Sequence, residues 1–194
     1  MDVSDILEDY PKTVRLKDGT QAVLRPLQAS DEKILHEFFC ALPDSERAFI
    51  KHRVTDVSVI RGWCQTIDYG RNLPLLALVN GKVAADGRLH QELGGWKRHI
   101  GCVSIAVHPD YRGKGLARSI VTELIDIAMN AGLEKLEAEF LAEQKAARYL
   151  FSTLGFSELL FLEGYVKDMQ AMSHDYILMG MDTTTPEDLT HAGG

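Results

Sequence analysis

The chain has 194 residues, of which 45 % are hydrophobic and 25 % charged, and its formal net charge at pH 7 is −7. This length suits one α/β domain with a single core. The acidic balance argues against nucleic acid as a partner, since a nucleic-acid binder presents a broad basic face. No apolar run approaches the ~20 residues that span a bilayer, and the acidic first residues do not resemble a secretory leader, so no membrane partner is expected.

The first half of the chain alternates hairpin and helix patterns. An Asp-Gly or Asn-Gly pair between two β-like runs is typical of a hairpin, and apolar residues spaced three and four apart predict a helix. The predicted elements are a hairpin over 13–27 that turns at Asp18-Gly19, a helix from an N-cap at Ser30 to Leu42, a helix over 57–69, and a hairpin over 73–93 that turns at Asn80-Gly81.

The second half of the chain alternates strands and helices before it ends in two strands. The predicted elements are strands over 100–107 and 134–141, helices over 115–131 and 143–154, and strands over 157–166 and 175–182. This order predicts an α/β fold with a mixed sheet covered by helices. We expect a single domain over residues 1–194, with its core at about 13–182 and a flexible tail over 183–194.

The three cysteines, Cys40, Cys64 and Cys102, are odd in number and lack the spacing of metal ligands. Free cysteine is among the most buried residue types, and disulfides are rare in reducing compartments. The sequence therefore predicts three buried thiols, no metal site and a cytoplasmic location.

A cationic, glycine-rich loop connects the strand over 100–107 to the helix that follows it, in the segment "AVHPDYRGKGLARSIV". Its glycines let the main chain approach a ligand closely, and the first amides of a helix point their N–H groups at an anion. Three cations add positive charge at the rim, and on an acidic protein they predict one small anionic ligand held at one place. These cations are Arg112, Lys114 and Arg118.

Two common phosphate-binding motifs do not fit this loop. A Walker loop needs Ser or Thr after its Gly-Lys pair, but Gly115 follows Lys114 here. A dinucleotide fingerprint needs a third small residue where this chain has Arg118. The pattern Arg/Gln-x-x-Gly-x-Gly/Ala is matched by Arg112, Gly115 and Ala117, and its chemistry suits a pyrophosphate.

At these residues the chain resembles the GNAT superfamily of N-acetyltransferases, over roughly residues 13–182. The resemblance rests on "VSIAVHPDYRGKGLA", on the helix after it, and on "AARYLFSTLGF" over 146–156, which is similar to a second family segment. It implies a GNAT fold, in which a mixed, mostly antiparallel sheet has a splayed central strand pair. It also implies transfer of the acetyl group of acetyl-CoA to a primary amine by direct attack on the thioester.

The resemblance also implies the residues that bind the cofactor. The pantetheine arm would pair with the main chain of Ile105, Ala106 and Val107, as an added strand does. The N–H of Val107 would face the thioester oxygen as it becomes an oxyanion, and Gln144 stands where the family commonly has an Asn beside the cofactor. The pyrophosphate would bind to the loop residues Arg112, Gly113, Lys114, Gly115, Leu116 and Ala117.

The sequence departs from the family pattern at two catalytic positions. Phe151 stands where members often have a Tyr that protonates the leaving thiolate, and Tyr149 faces another side of the predicted helix. Members that acetylate protein lysines often have a Glu in the strand before the loop, and residues 101–103 contain none. The remaining candidates for the base are Glu92 and His90, followed by Asp86 and His99.

Two kinds of acceptor and one different class of function stay open. The acceptor is either a protein lysine or a small amine or amino acid, and the acidic chain suits a cationic substrate in both cases. The alternative is a non-catalytic acyl-CoA sensor or interaction module that keeps the fold and binds CoA without turnover. The segment 167–176 is a candidate wall of the acceptor site, and the expected state is a monomer or homodimer.

Overall fold

The computed structural model describes residues 3–183 apart from 49, 51 and 169. The expected tail over 183–194 therefore lies outside the described residues except for Thr183. Thr183 is buried, and its N–H donates to the carbonyl of Glu134 at 2.9 Å. Any tail begins after this residue.

Eight strands and six α-helices alternate largely as the sequence predicts, with three 3₁₀ turns between them. The strands are β1 (Lys12–Arg15), β2 (Gln21–Pro26), β3 (Asn72–Val79), β4 (Lys82–Gln91), β5 (Ile100–Val107), β6 (Lys135–Leu141), β7 (Ser157–Lys167) and β8 (Ser173–Asp182). The helices are α1 (Val3–Ile6), α2 (Glu32–Ala41), α3 (Asp44–Arg47), α4 (Val57–Gln65), α5 (Leu116–Asn130) and α6 (Lys145–Thr153).

All eight strands form one sheet in the order β1-β2-β3-β4-β5-β6-β8-β7. Every neighbouring pair is antiparallel except β5 and β6, which run parallel. Since β5 and β6 are parallel, α5 serves as the crossover that joins them. This confirms the predicted mixed, mostly antiparallel sheet.

The helices cover the two faces of the sheet with separate apolar cores. One core joins α5 and Phe151 of α6 to Val103 and Leu136 of the central strands. The other joins α2 and α4 to Leu76 and Ala106 on the opposite face. We call these the α5 face and the α2/α4 face. In antiparallel strands, paired residues share a face, so His90 and Cys102 lie on the α2/α4 face with Ala106.

A glycine allows α5 to lie directly on the centre of the sheet. A Cβ atom at Gly87 of β4 would stand only 2.2 Å from the side chain of Ile120 on α5. Any larger residue would push the helix away from the strand. Gly87 therefore allows α5 to pack closely against β4.

Three sequence predictions need correction. Ser30 does not cap α2, because a 3₁₀ turn precedes the helix and its capping box is formed by Gln28 and Asp31. The helix predicted over 57–69 is α4, and it ends at Gln65 rather than at residue 69. Of the three thiols, Cys64 is buried, Cys102 is half-buried and Cys40 is exposed, because Cys40 lies on the outer side of α2.

Candidate active site

The two central strands, β5 and β6, diverge after a short paired stretch. They are paired at Ile100, Gly101 and Cys102 of β5, and the last pair joins Cys102 to Glu137. Pairing of β5 with β4 continues to Val107. A gap therefore opens between the two strands beyond Cys102, and no described strand pairs with that edge of β5.

The hydrogen-bond phase decides which main-chain groups of β5 face this gap. The N–H of His108 donates to the carbonyl of Ala84 at 2.9 Å. In an antiparallel pair, the residues that bond to the neighbour alternate with residues that face away. Counting back along the register, Ala106 bonds to β4, whereas Ile105 and Val107 turn their N–H and C=O groups toward the gap. The edge thus presents Val107 and Ile105 but not Ala106.

The loop after β5 has the backbone shape that a phosphate site needs. Gly113 and Gly115 adopt positive φ angles of 73° and 89°, a region that L side chains rarely occupy. Gly115 is the N-cap of α5, whose first residue, Leu116, is buried. The amides of the first turn of α5 therefore lie at the mouth of the gap, together with the positive end of the helix dipole.

The three loop cations contact protein groups in this structure. The Arg112 guanidinium donates to the carbonyl of Val107 at 3.1 and 3.0 Å and to Glu46 at 2.7 Å. Lys114 Nζ lies 3.1 Å from Asp18 Oδ2. Arg118 donates to Thr153 on α6. These side chains hold the loop in shape before any anion binds.

Gln144 lies at the wide end of the gap, in the turn between β6 and α6. Its side-chain oxygen accepts the N–H of Leu141 at 2.8 Å. The amide therefore secures the end of β6, and its role beside the cofactor stays a prediction.

The sequence model of the acetyltransferase (GNAT) family matches residues 35–156. That range includes the strand pair that diverges, the loop and the helix after it. The chain belongs to the GNAT acetyltransferase family. It is accordingly an acetyl-CoA-dependent N-acetyltransferase, as the resemblance implied.

Individual GNAT proteins extend this comparison. An acetyltransferase of Pseudomonas aeruginosa is 27 % identical over 150 residues, which cover 73 % of this chain and 77 % of that protein. The L-amino acid N-acyltransferase MnaT of Escherichia coli is 35 % identical over 72 residues, or 34 % of this chain and 42 % of that protein. The acetyltransferase yncA of Salmonella typhimurium, solved with acetyl-CoA, has a TM-score of 0.71 at 20 % identity and covers 84 % of this chain and 95 % of that one.

In this GNAT chain, Phe151 belongs to the core rather than to the reaction site. Its side chain is fully buried, with ring centroids 5.0 Å from Phe140 and 4.9 Å from Phe156. Tyr149 is exposed on another side of α6, as its spacing predicted. Phe151 therefore cannot be the proton donor that the resemblance places at this point of the helix, and Tyr149 does not take its place on the same side.

The candidate bases lie at different places along β4. Ala85 pairs with Val107, and Glu92 follows seven residues later, just past the end of β4 at Gln91, which places it about 23 Å from Val107 at about 3.3 Å per residue. Glu92 and His99 line a cavity of about 410 Å³ at that far end. The structure does not bring Glu92 and Val107 together. His90, in contrast, pairs with Cys102 at the point where the strands diverge.

Asp86 is held in the interior. Its carboxylate accepts a hydrogen bond from Arg88 Nε at 2.8 Å, and the Arg88 guanidinium lies 4.0 Å from the centre of the Trp63 ring. Burial raises the pKa of Asp86, against the lowering effect of Arg88. This pair anchors α4 to the sheet and does not open to the gap.

A carboxylate pair on β6 was missed by sequence reasoning. Glu137 pairs with Cys102, so Glu137 and Glu139 lie on the α2/α4 face, and Glu139 is two residues beyond the point of divergence. Glu137 forms an ion pair with Lys97 at 3.3 Å. The Tyr176 hydroxyl on β8 donates to Glu139, and burial together with the negative charge of Glu139 raises the pKa of Tyr176 to about 12. The alternation in "EKLEAEFL" did indicate one polar face, but it could not indicate that the face borders a gap.

The segment 167–176, a predicted acceptor wall, is attached to the end of β6 through His174. Its Nδ1 lies 3.0 Å from Glu143 Oε1 and its Nε2 lies 3.1 Å from Asp168 Oδ2. Only the imidazolium has an N–H for each carboxylate. Hydrogen bonds to Glu143 and then Asp168 raise the pKa of His174 above its ordinary 6.5.

We expect this link to lose its stabilising effect at alkaline pH. Because the pKa of His174 is raised in the folded state, its contribution is complete below about 6.5 and is lost as pH rises through the folded pKa. The measurement is the melting temperature of the wild type and of His174→Asn from pH 5 to 9. The difference between the two should be largest at the acidic end and should shrink with rising pH. A constant difference would mean that the imidazolium is not the stabilising form.

Proposed function

We propose that this enzyme acetylates a cationic primary amine that approaches the gap between β5 and β6 from the α2/α4 face. The observation that carries the proposal is the meeting of two features at one point. The open main-chain edge of β5 borders the gap on one side, Glu139 of β6 borders it on the other, and Glu137 stands where the two strands begin to diverge. A hydrogen-bonding edge suits the cofactor arm, and a pair of carboxylates suits an ammonium group.

The alternation of hydrogen bonds along β5 supports a new position for the thioester, next to Ile105 instead of Val107. The pyrophosphate would bind to the amides of residues 113–117, and the pantetheine arm would pair with the gap edge of β5. Two amide units separate the pyrophosphate from the sulphur, so the arm passes Val107 before the thioester is reached. The N–H of Ile105 is then better placed than that of Val107 to donate to the developing oxyanion.

The acceptor must lose a proton before it attacks. A lysine-type amine has a pKa near ~10.4, so only about one molecule in a thousand is neutral at pH 7. The last pair of the two strands joins Cys102 to Glu137, so two residues farther along each strand Glu139 stands across the gap from Ser104. Ser104 is the residue before Ile105. Tyr176 donates to its carboxylate and fixes its orientation. We assign Glu139 as the group that accepts the proton, directly or through one water, and His90 as a neighbour on the same face.

The acidic side of the gap supports a cationic acceptor but does not separate a protein lysine from a small amine or amino acid. The name of MnaT points to free amino acids for that relative, and we carry the wider class of amino-acid amines over to this chain. The neutral amine attacks the thioester carbon, the carbon–sulphur bond breaks, and CoA leaves as a thiolate, while the attacking nitrogen gives up its remaining extra proton to become the amide. A water relays that proton to the thiolate, which is only weakly basic and needs no strong acid.

The deciding experiment is CoA release from acetyl-CoA with the purified protein. The acceptors are polyamines, free amino acids, aminoglycosides, and peptides with either a free N-terminus or one lysine. Release with a cationic member supports the proposal and names the acceptor. Acetyl-CoA binding without release by any of them would favour the non-catalytic acyl-CoA sensor instead.

Two further properties stay predictions. Among the described residues no cysteine forms a disulfide, which supports a reducing, cytoplasmic location. A monomeric or homodimeric state is expected. Within the described chain, no helix is long and apolar enough to span a bilayer.

A further inference from the structure

The turn between β1 and β2 packs on the glycine-rich loop between β5 and α5, residues 108–115, which we call the phosphate loop. The turn and the loop lie almost a hundred residues apart in the sequence. The N–H of Lys17 donates to the carbonyl of Lys114 at 3.0 Å. A Cβ atom at Gly115 would lie 3.5 Å from both Cγ and Cε of Lys17. The aliphatic part of Lys17 therefore lies across the N-cap of α5, and its ammonium is one bond beyond Cε.

The charges around the N-terminus of α5 distinguish Lys17 from Arg112 and Lys114 of the motif. Arg112 is paired with Glu46 and Lys114 with Asp18. Hydrogen bonds from the Thr20 amide and from the Lys114 ammonium lower the pKa of the Asp18 carboxyl to about 2. Asp18, the partner of Lys114, therefore stays ionised at neutral pH. Among the described residues, the Lys17 ammonium has no ion-pair partner, and the residue is exposed. Arg118 donates to the neutral Thr153 hydroxyl on α6. Lys17 and Arg118 can therefore meet an incoming anion without first leaving a carboxylate, and of the two only Lys17 lies across the N-cap of α5.

We propose that Lys17 binds a phosphate group of the CoA cosubstrate and that the β1–β2 turn forms one wall of the cofactor site. The inference rests on the proposed function only in that acetyl-CoA binds at the loop before α5. The ligand chemistry is a phosphate ester or anhydride. In CoA this is either the pyrophosphate at the helix N-terminus or the 3′-phosphate beyond it. A lysine suits both, since its ammonium acts as a flexible point charge.

The structure also indicates how the turn keeps Lys17 in place. Asp18 contacts Lys114 through its side chain, while Lys17 contacts the same residue through its main chain. The Asp18 carboxylate also accepts the N–H of Thr20 at 3.0 Å within the turn. The turn and the loop are thus joined at two points, which reduces the entropy that Lys17 loses when it meets a phosphate.

The test compares Lys17→Met, Lys17→Arg and Lys33→Met by calorimetric titration. Met keeps an apolar stem over Gly115 and removes the charge, whereas Arg keeps the charge. Lys33 lies on the outer side of α2 with 86 % of its side chain exposed, so its variant controls for the loss of one surface charge. The ligands are acetyl-CoA, 3′-dephospho-CoA and S-acetylpantetheine, which lacks phosphate. Melting temperatures establish that each variant is folded.

Lys17→Met should weaken acetyl-CoA binding about tenfold, because a charge-assisted hydrogen bond to phosphate is lost. The acetyl-CoA affinity of Lys17→Arg should stay within about threefold of the wild-type value. The affinity of Lys33→Met should equal that of the wild type. If Lys17 binds the 3′-phosphate, the loss disappears with 3′-dephospho-CoA. If it binds the pyrophosphate, the loss persists there and disappears only with S-acetylpantetheine.

Two results would overturn the inference in different ways. Equal acetyl-CoA affinities for Lys17→Met and the wild type would exclude Lys17 from the cofactor site and leave the proposed function intact. A wild-type protein that binds no acetyl-CoA would remove the cofactor from the loop altogether, and the proposed function would fail with it. An equal loss for Lys17→Met with all three ligands would show that Lys17 acts on the fold and not on phosphate.

Discussion

Gly115→Asp is expected to weaken acetyl-CoA binding about 100-fold, which corresponds to about 2.7 kcal/mol. Two effects act together at this position. Gly115 has a φ angle of 89°, so any side chain strains the start of α5. The new carboxylate would also stand at the mouth of the phosphate loop, where it repels the pyrophosphate. The dissociation constant, measured by calorimetry, checks the prediction.

Two further variants separate these effects. Gly115→Ala introduces strain without charge, so it should lose much less affinity than Gly115→Asp. Gly132→Asp places the same side chain at a φ angle of 81° beyond the other end of α5, with open space around its Cβ, and should bind acetyl-CoA as the wild type does. Unchanged affinity in Gly115→Asp would mean that the pyrophosphate binds elsewhere.

Glu139→Gln is expected to lower kcat/KM about 100-fold at pH 7, the size typical of a general base. The loss should shrink toward pH 10, because the acceptor amine is then largely neutral without help. The phenol of Tyr176 stays protonated over this range, since burial and Glu139 raise its pKa to about 12. The measurement is the pH profile of kcat/KM for the variant and the wild type with the same amine.

Glu92→Gln is the matched control, because it removes the base that sequence reasoning favoured. Glu92 lies beyond the end of β4, away from the gap, so its variant should keep the wild-type profile. The opposite pattern, with a pH-dependent loss in Glu92→Gln and none in Glu139→Gln, would return the base role to Glu92. A pH-independent loss in Glu139→Gln would reduce Glu139 to a binding role.

The sequence by itself determined the features that depend on neighbouring residues. The Asn80-Gly81 turn joins β3 and β4 as predicted, because its two residues adopt positive φ angles of 50° and 75°. The apolar stripe of α5 and its stop before Gly132 also agree with the structure. The phosphate loop was readable for the same reason: its glycines, cations and helix start are contiguous in the chain.

Only the tertiary structure decided which distant residues meet. The gap between β5 and β6 depends on where parallel pairing stops, at Cys102 and Glu137, and no local pattern encodes that point. Glu139 and Lys17 become site residues through strands and turns far from the loop, whereas Glu92 leaves the site through the register of β4. Strand register and sheet order are set by the packing of whole faces. For that reason the sequence determined the loop that we propose for the cofactor, and the fold decided the proposed acceptor side.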